Sequence, residues 1–303
     1  MTYSIVARDA ETGLLGVAVQ TCMFAVGSVV PWARPGVGAV ATQAISESAY
    51  GPRCLDLLAS GASARDALEQ ARAADPAAFL RQVGVVAADG SASAFTGELC
   101  IDHCGDQVGD GFAVQANMMA SPEVWPAMAD AYLGASGPFP RRLLAALVAA
   151  EAAGGDARGV MSAALVVVAG ESGEPWEGRL VDLRVDRSDD PLGDLAELLT
   201  AADAYGEFGH AVDHLMGGDP SAALTDLDRG LAWLPEEENL LFLQAGARFA
   251  AGDVDGGREL VRSLLAARPG LAVIARSYGS KGLMTLPDGV DIDDLLDGGG
   301  AGR

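Results

Sequence analysis

Residues 1–20 read MTYSIVARDAETGLLGVAVQ. Two short runs rich in β-formers, Tyr3–Arg8 and Leu14–Gln20, flank the turn-like Asp9-Ala10-Glu11-Thr12-Gly13. Strands joined by so short a turn pair antiparallel, because a parallel pair needs a crossover of a dozen residues or more. The fold therefore starts from an antiparallel sheet.

Outward from this hairpin, Gly36–Gln43 (GVGAVATQ) is a third strand-like run whose glycines allow close backbone packing. Helical patterns follow near Gly51–Ala59 and Ala64–Ala74, with Ser63 placed to cap the second. Strands return at Gln82–Ala88, Ala92–Gly97 and Gly111–Gln115, and Asp89-Gly90 signals a hairpin between the first two. Helices are expected near Pro122–Leu133 and Arg141–Ala153, the first with a proline at its opening position after Ser121. Ser162–Val168 and Leu180–Val185 close the block. Strands, two helices, strands, two helices, strands: a four-layer α–β–β–α sandwich of the α+β class, over residues 1–190, satisfies this order.

From Leu192 the pattern turns helical and repeats. Gly218-Asp219 recurs as Gly252-Asp253, Leu231-Ala232 as Leu265-Ala266, and Pro235 as Pro269. The offset of 34 residues is the period of tetratricopeptide helix pairs. Residues 191–296 are thus expected to form a helical repeat domain, and 297–303 a flexible tail.

The 303 residues carry a formal charge of -22. Phosphate binding needs clustered positive charge, so nucleic acid is excluded as the main partner, and an anionic membrane surface is disfavoured. The opening segment lacks the basic and apolar regions of a signal peptide, and no apolar run is long enough for a bilayer. The reading is a soluble cytoplasmic protein. Four cysteines, Cys22, Cys54, Cys100 and Cys104, are too few for a disulfide framework. CIDHC lacks the spacing of a zinc knuckle. His210 and His214 fall one helical turn apart, but Ala211 stands where a zinc protease has its glutamate. No metal or cofactor is expected.

With His103 the single histidine before residue 190, a histidine-based nucleophile has little to work with. One design needs none. A terminal threonine can use its own α-amine, which titrates near neutrality, as the base. Thr2 follows Met1 directly and would head the first strand once the methionine is removed.

MTYSIVARDAETGLLGVAVQ, FAVGSVVPWARPGVGAVATQA (24–44) and AAGGDARGVMSAALVVV (152–168) resemble family 1028 of the domain-of-unknown-function series, which is placed with the N-terminal-nucleophile hydrolases. The resemblance spans roughly residues 1–190. Residues 195–296 are similar to a C-terminal extension of that family described as peptidoglycan-binding. The resemblance implies the same sandwich. It implies roles for Asp156 and Ser162 in orienting the terminal amine, and for Arg34, thirty-two positions after Thr2, in lowering its pKa. Asn117 matches an oxyanion or amine-orienting position. Gln20 falls near an acidic residue of proteasome-like chains. That glutamine, and arginine in place of lysine, argue against a proteasome-type peptidase.

The expected activity is hydrolysis of a small amide with Thr2 as nucleophile. The alternative is a binding or scaffold protein on the same fold, recruiting a protein partner through the C-terminal helices. A homodimer is expected by analogy with the superfamily.

Overall fold

The computed structural model describes residues 2–173 and 178–281. Met1 and the expected tail at 297–303 lie outside the described residues. By its contacts the chain divides into two compact units, Met1–Leu199 and Thr200–Arg303.

Unit 1 opens with β1 (Thr2–Arg8), β2 (Leu15–Thr21), β3 (Pro31–Arg34) and β4 (Gly38–Ala44). Helices α1 (Tyr50–Ala59) and α2 (Ala64–Ala73) follow, then β5 (Arg81–Ala87), β6 (Ala92–Thr96), β7 (Gly105–Gly109) and β8 (Phe112–Asn117). Helices α3 (Val124–Gly134) and α4 (Phe139–Ala152) precede β9 (Ser162–Val168) and β10 (Arg179–Val185). One sheet has the order β10-β9-β2-β1-β8-β7 and the other β3-β4-β5-β6. Every neighbour pairs antiparallel.

The two-residue period of a strand sorts its side chains into two cores. On β1, Tyr3, Ile5 and Ala7 join Met128 of α3 and Leu143 and Leu147 of α4. Val6 faces the other way, with Val17, Val19, Ala39, Ala41 and Val86, between the sheets. On β4 and β5, Val40, Val83 and Val85 point outward to Tyr50, Leu55 and Leu68 of α1 and α2. The central strands of each sheet are thus buried on both faces, with a helix pair outside and the fellow sheet inside. Gly16 lets α4 sit close on β2: a Cβ there would meet Leu143 Cδ1 at 2.6 Å.

Most elements lie within two residues of the expected bounds. Two short strands, β3 and β7, were not expected. The opening of α3 also differs: it starts at Val124, and Ser121 Oγ accepts from the Glu123 N–H in a turn before the helix, so Pro122 is not its first residue. Ser63 does cap α2, accepting from Asp66 N–H.

Helix α5 (Pro191–Met216) starts in unit 1, where Leu192, Leu195 and Leu199 join the α3–α4 core. Unit 2 continues with α6 (Pro220–Trp233), α7 (Glu238–Ala250), α8 (Val254–Ala267) and α9 (Leu271–Ser280). Its core holds Ala204, Ala211, Leu227 and Leu240, with a second cluster at Ala245, Phe249 and Val261. The recurring Gly-Asp has a local cause. Gly218 and Gly252 take positive φ, 80° and 84°, which ends a helix at little cost. Asp219 and Asp253 then cap α6 and α8, accepting from Ala222 and Gly256 N–H at 3.0 Å each. Among the described residues no helix is long and apolar enough to cross a membrane.

Candidate active site at the Thr2 end of the sheets

Strand register places Thr2 opposite Asn117, Tyr3 opposite Gln20 and Thr21 opposite Ser162. In the second sheet Gln43 lies opposite Gln82, and Gln82 opposite Thr96. The two sheets meet at this end, because Gln43 Nε2 donates to the Thr2 carbonyl at 3.0 Å. Thr2 is buried, and its hydroxyl donates to Thr21 Oγ1 at 3.2 Å. Thr21 Oγ1 also accepts from the Met23 N–H, which fixes the turn leaving β2.

A network of buried amides supports Thr2 from below. Gln82 Nε2 donates to Thr96 Oγ1, Gly105 O and Ala116 O. Gln82 Oε1 accepts from Gln43 Nε2 at 2.7 Å and Asn117 Nδ2 at 2.8 Å. Gln43 Oε1 accepts from Ser4 Oγ, which accepts from Gln115 Nε2. Asn117 Nδ2 lies 3.4 Å from the Thr2 carbonyl. Gly84 makes room for this layer, since a Cβ there would stand 2.2 Å from Gln115 Oε1. Burying so many amides is tolerable because nearly every donor finds an acceptor. Among the amides of this end, three oxygens, Gln20 Oε1, Gln115 Oε1 and Asn117 Oδ1, are buried without a donor.

The negative charge of the site comes from Asp156, whose side chain is fully buried. Its Oδ2 accepts from the Cys22 N–H at 3.2 Å and its Oδ1 from the Arg158 N–H at 2.9 Å. The Arg158 guanidinium stands beside it, Nε at 3.5 Å. An isolated bridge between Met119 and Asp156 ties this segment to the end of β8. Burial pushes the Cys22 thiol up, and the Asp156 carboxylate adds to the rise. Tyr3 is raised far more, by burial and by Glu151, whose carboxylate accepts from its hydroxyl at 2.8 Å.

Five of the six residues expected at the site, Thr2, Asn117, Asp156, Ser162 and Gln20, stand at this end of the first sheet. Their engagements differ. Ser162 Oγ donates to Met23 O at 2.6 Å and accepts from Val26 N–H at 3.0 Å, so it holds the 22–26 turn. Gln20 Nε2 donates to Thr21 O.

Arg34 is not brought to this end. It pairs with Gly38 at the far end of β4, five residues from Gln43, or about 17 Å at strand rise. Its guanidinium is exposed and binds Asp56 at 2.8 Å. The cation beside Asp156 is Arg158, two residues further along the chain. Sequence reasoning also passed over Thr21, Gln43 and Gln82. A signal was present: Gln20, Gln43, Gln82 and Gln115 each interrupt an apolar strand near the same end.

Among the described residues no three His, Cys, Asp or Glu side chains stand close enough to hold a metal ion. His214 binds Asp226 at 2.6 Å in unit 2.

A family model, the family of unknown function DUF1028, matches residues 2–195. The chain belongs to this family. A DUF1028 protein from Silicibacter pomeroyi, known from its crystal structure, is 34% identical with a TM-score of 0.61. That alignment covers 66% of this chain and 85% of the other. No curated protein matches.

Proposed function

We propose that unit 1 is an amide-bond hydrolase of the N-terminal-nucleophile type, with Thr2 as its nucleophile. The observation that carries this reading is the convergence of the Thr2 hydroxyl, the Thr21 hydroxyl and the buried Asp156 segment at one end of two apposed sheets. The helix–sheet–sheet–helix layering agrees with the resemblance to that superfamily. Thr2 Oγ attacks the amide carbonyl carbon and the carbon–nitrogen bond breaks. The hydroxyl proton passes to the Thr2 α-amine and then to the leaving amine. Water cleaves the resulting ester, releasing the acid and restoring the hydroxyl. Thr21 orients the Thr2 hydroxyl. Asp156 supplies the negative charge near the terminal amine, with Arg158 as its counter-ion. Asn117, whose Nδ2 donates to Gln82 Oε1 and faces the Thr2 carbonyl, holds the Thr2 backbone, and the oxyanion is left to backbone N–H groups.

The mechanism requires a free amine on Thr2. Intact-mass spectrometry of untagged protein, before and after a β-lactone that acylates terminal threonines, tests it. Loss of Met1 and one adduct on Thr2, abolished in Thr2→Ala, is the expected result. Met1 retained in the active form would sink it.

A second reading rests on unit 2, which we take to be a tetratricopeptide-like array because α6 and α8 start 34 residues apart. It holds a groove of about 700 Å³ lined by Phe208, Leu215, Phe242, Leu243, Ile274 and Tyr278. Under that reading the groove recruits a protein partner. Pull-down with Thr2→Ala separates the two: a scaffold keeps its partner when turnover is gone.

A further inference from the structure

The loops leaving the Thr2 end of the sheets are bonded to one another as a collar. Ile45 N–H donates to Leu80 O, Leu99 N–H to Phe79 O, Met118 N–H to Ile101 O, and Ala157 N–H to Met118 O. Asp156 extends the series by taking the Cys22 N–H, next to Met23 and Phe24. Six large apolar side chains stand exposed on this collar: Met23, Phe24, Ile45, Phe79, Leu99 and Ile101, from 40% for Phe79 to 68% for Phe24. A single exposed leucine needs no explanation, whereas a contiguous set around a buried reactive group marks a binding surface.

We infer that this collar seats an extended apolar group, so that the substrate is a small amide carrying an aliphatic or aromatic chain. The inference rests on the proposed Thr2 chemistry for the word substrate. Two observations select this occupant. The collar is continuous with the Thr2 site, since Asp156 belongs to both and Met118 directly follows Asn117. The chain's charge of -22 disfavours a second copy on this face, against the homodimer expected by analogy.

The test uses the full chain and two probes, octanamide and acetamide, titrated separately by saturation-transfer NMR. Octanamide is expected to bind at least about tenfold more tightly, because each buried methylene adds to affinity. The double variant Phe24→Ser, Ile101→Ser, with an unchanged unfolding midpoint, is expected to lose that preference. If its midpoint falls, Met23→Ser and Leu99→Ser, made singly, are judged by the same criterion. Equal binding of the two amides overturns the inference, as does a preference that survives the substitutions. So does a dimer, seen by sedimentation, that the variants dissolve while wild type has no octanamide preference. The titration does not depend on turnover. An octanamide preference in a protein whose Thr2 takes no β-lactone supports the collar and counts against the nucleophile alone.

Discussion

Gln43, on one sheet, donates its side-chain amide to the backbone carbonyl of Thr2 on the other, at 3.0 Å. Away from this end the facing sheets touch through valine, alanine and leucine. This bond is therefore a directional link in a layer held mainly by non-directional packing. Gln43→Leu removes it and strands Gln82 Oε1, Ser4 Oγ and the Thr2 carbonyl with fewer partners. The expected loss is about 2–3 kcal/mol, read as a shift of the urea midpoint at constant slope.

Gly84→Ala probes the same layer from its opposite side. The new methyl would overlap the Gln115 amide, whose oxygen lies 2.2 Å from the ideal Cβ position. Overpacking of this kind costs about 1–3 kcal/mol. Calorimetry should give a lower unfolding midpoint, and an unchanged one would mean that Gln115 can swing aside freely.

Thr21→Val keeps shape and removes the hydroxyl that orients Thr2. If Thr2 is the nucleophile, its acylation by a β-lactone should slow by about tenfold, the worth of one orienting hydrogen bond. An unaltered rate would assign Thr21 to the turn alone.

Asp75 gives the collar an acid limit. Its carboxylate takes hydrogen bonds from Arg81 Nε at 2.9 Å and Tyr50 Oη at 3.2 Å, and Arg81 in turn donates to Ile45 O. The Arg81 hydrogen bond, above all, holds its pKa below the ordinary aspartate value. A folded pKa below the unfolded one means that the unfolded chain binds the proton more readily. The stabilisation is complete above the unfolded value, about 3.9, and is lost as pH falls through the lower folded value. Asp75→Asn should lower the unfolding midpoint at pH 7, and the gap to wild type should close as the pH falls below the ordinary aspartate range.

Cys22 is next to the site and is expected to be a poor nucleophile. Burial and Asp156 raise its pKa, which leaves less thiolate at neutrality. Iodoacetamide at pH 7 should modify it more slowly than a free cysteine, by peptide mapping.

The strand and helix order of residues 1–190 was legible because most strands are largely apolar runs bounded by turn-forming residues such as glycine and aspartate. β3 escaped because it is four half-buried residues opened by a proline, and β7 (GDQVG) because two glycines and a half-exposed surface erase its alternation. Thr2 was legible as a threonine directly after Met1 at the head of the first strand. Antiparallel pairing sets Thr2 opposite Asn117, whereas Asp156, expected like Asn117 from the family resemblance, is tied in by an isolated bridge to Met119. Arg34 was placed by counting residues, and counting fails across loops. The short 3₁₀ turn at Val26–Ser28 and the strand after it carry the chain back toward the far end of β4 before position 34. The buried amides were hidden for another reason. A lone glutamine in a strand looks like a surface residue until a second sheet covers it.

The amides around Thr2 also have a fixed sense. Gln82 Nε2 faces two backbone carbonyls, Gly105 O and Ala116 O, which cannot donate, so Gln82 cannot rotate end for end. Its oxygen must then face Gln43 and Asn117, whose nitrogens are turned toward the Thr2 carbonyl as a result. No amide can flip without breaking the next. The dipoles under Thr2 therefore keep one orientation whatever charge forms above them, and no free energy is lost in realigning them when a reaction begins.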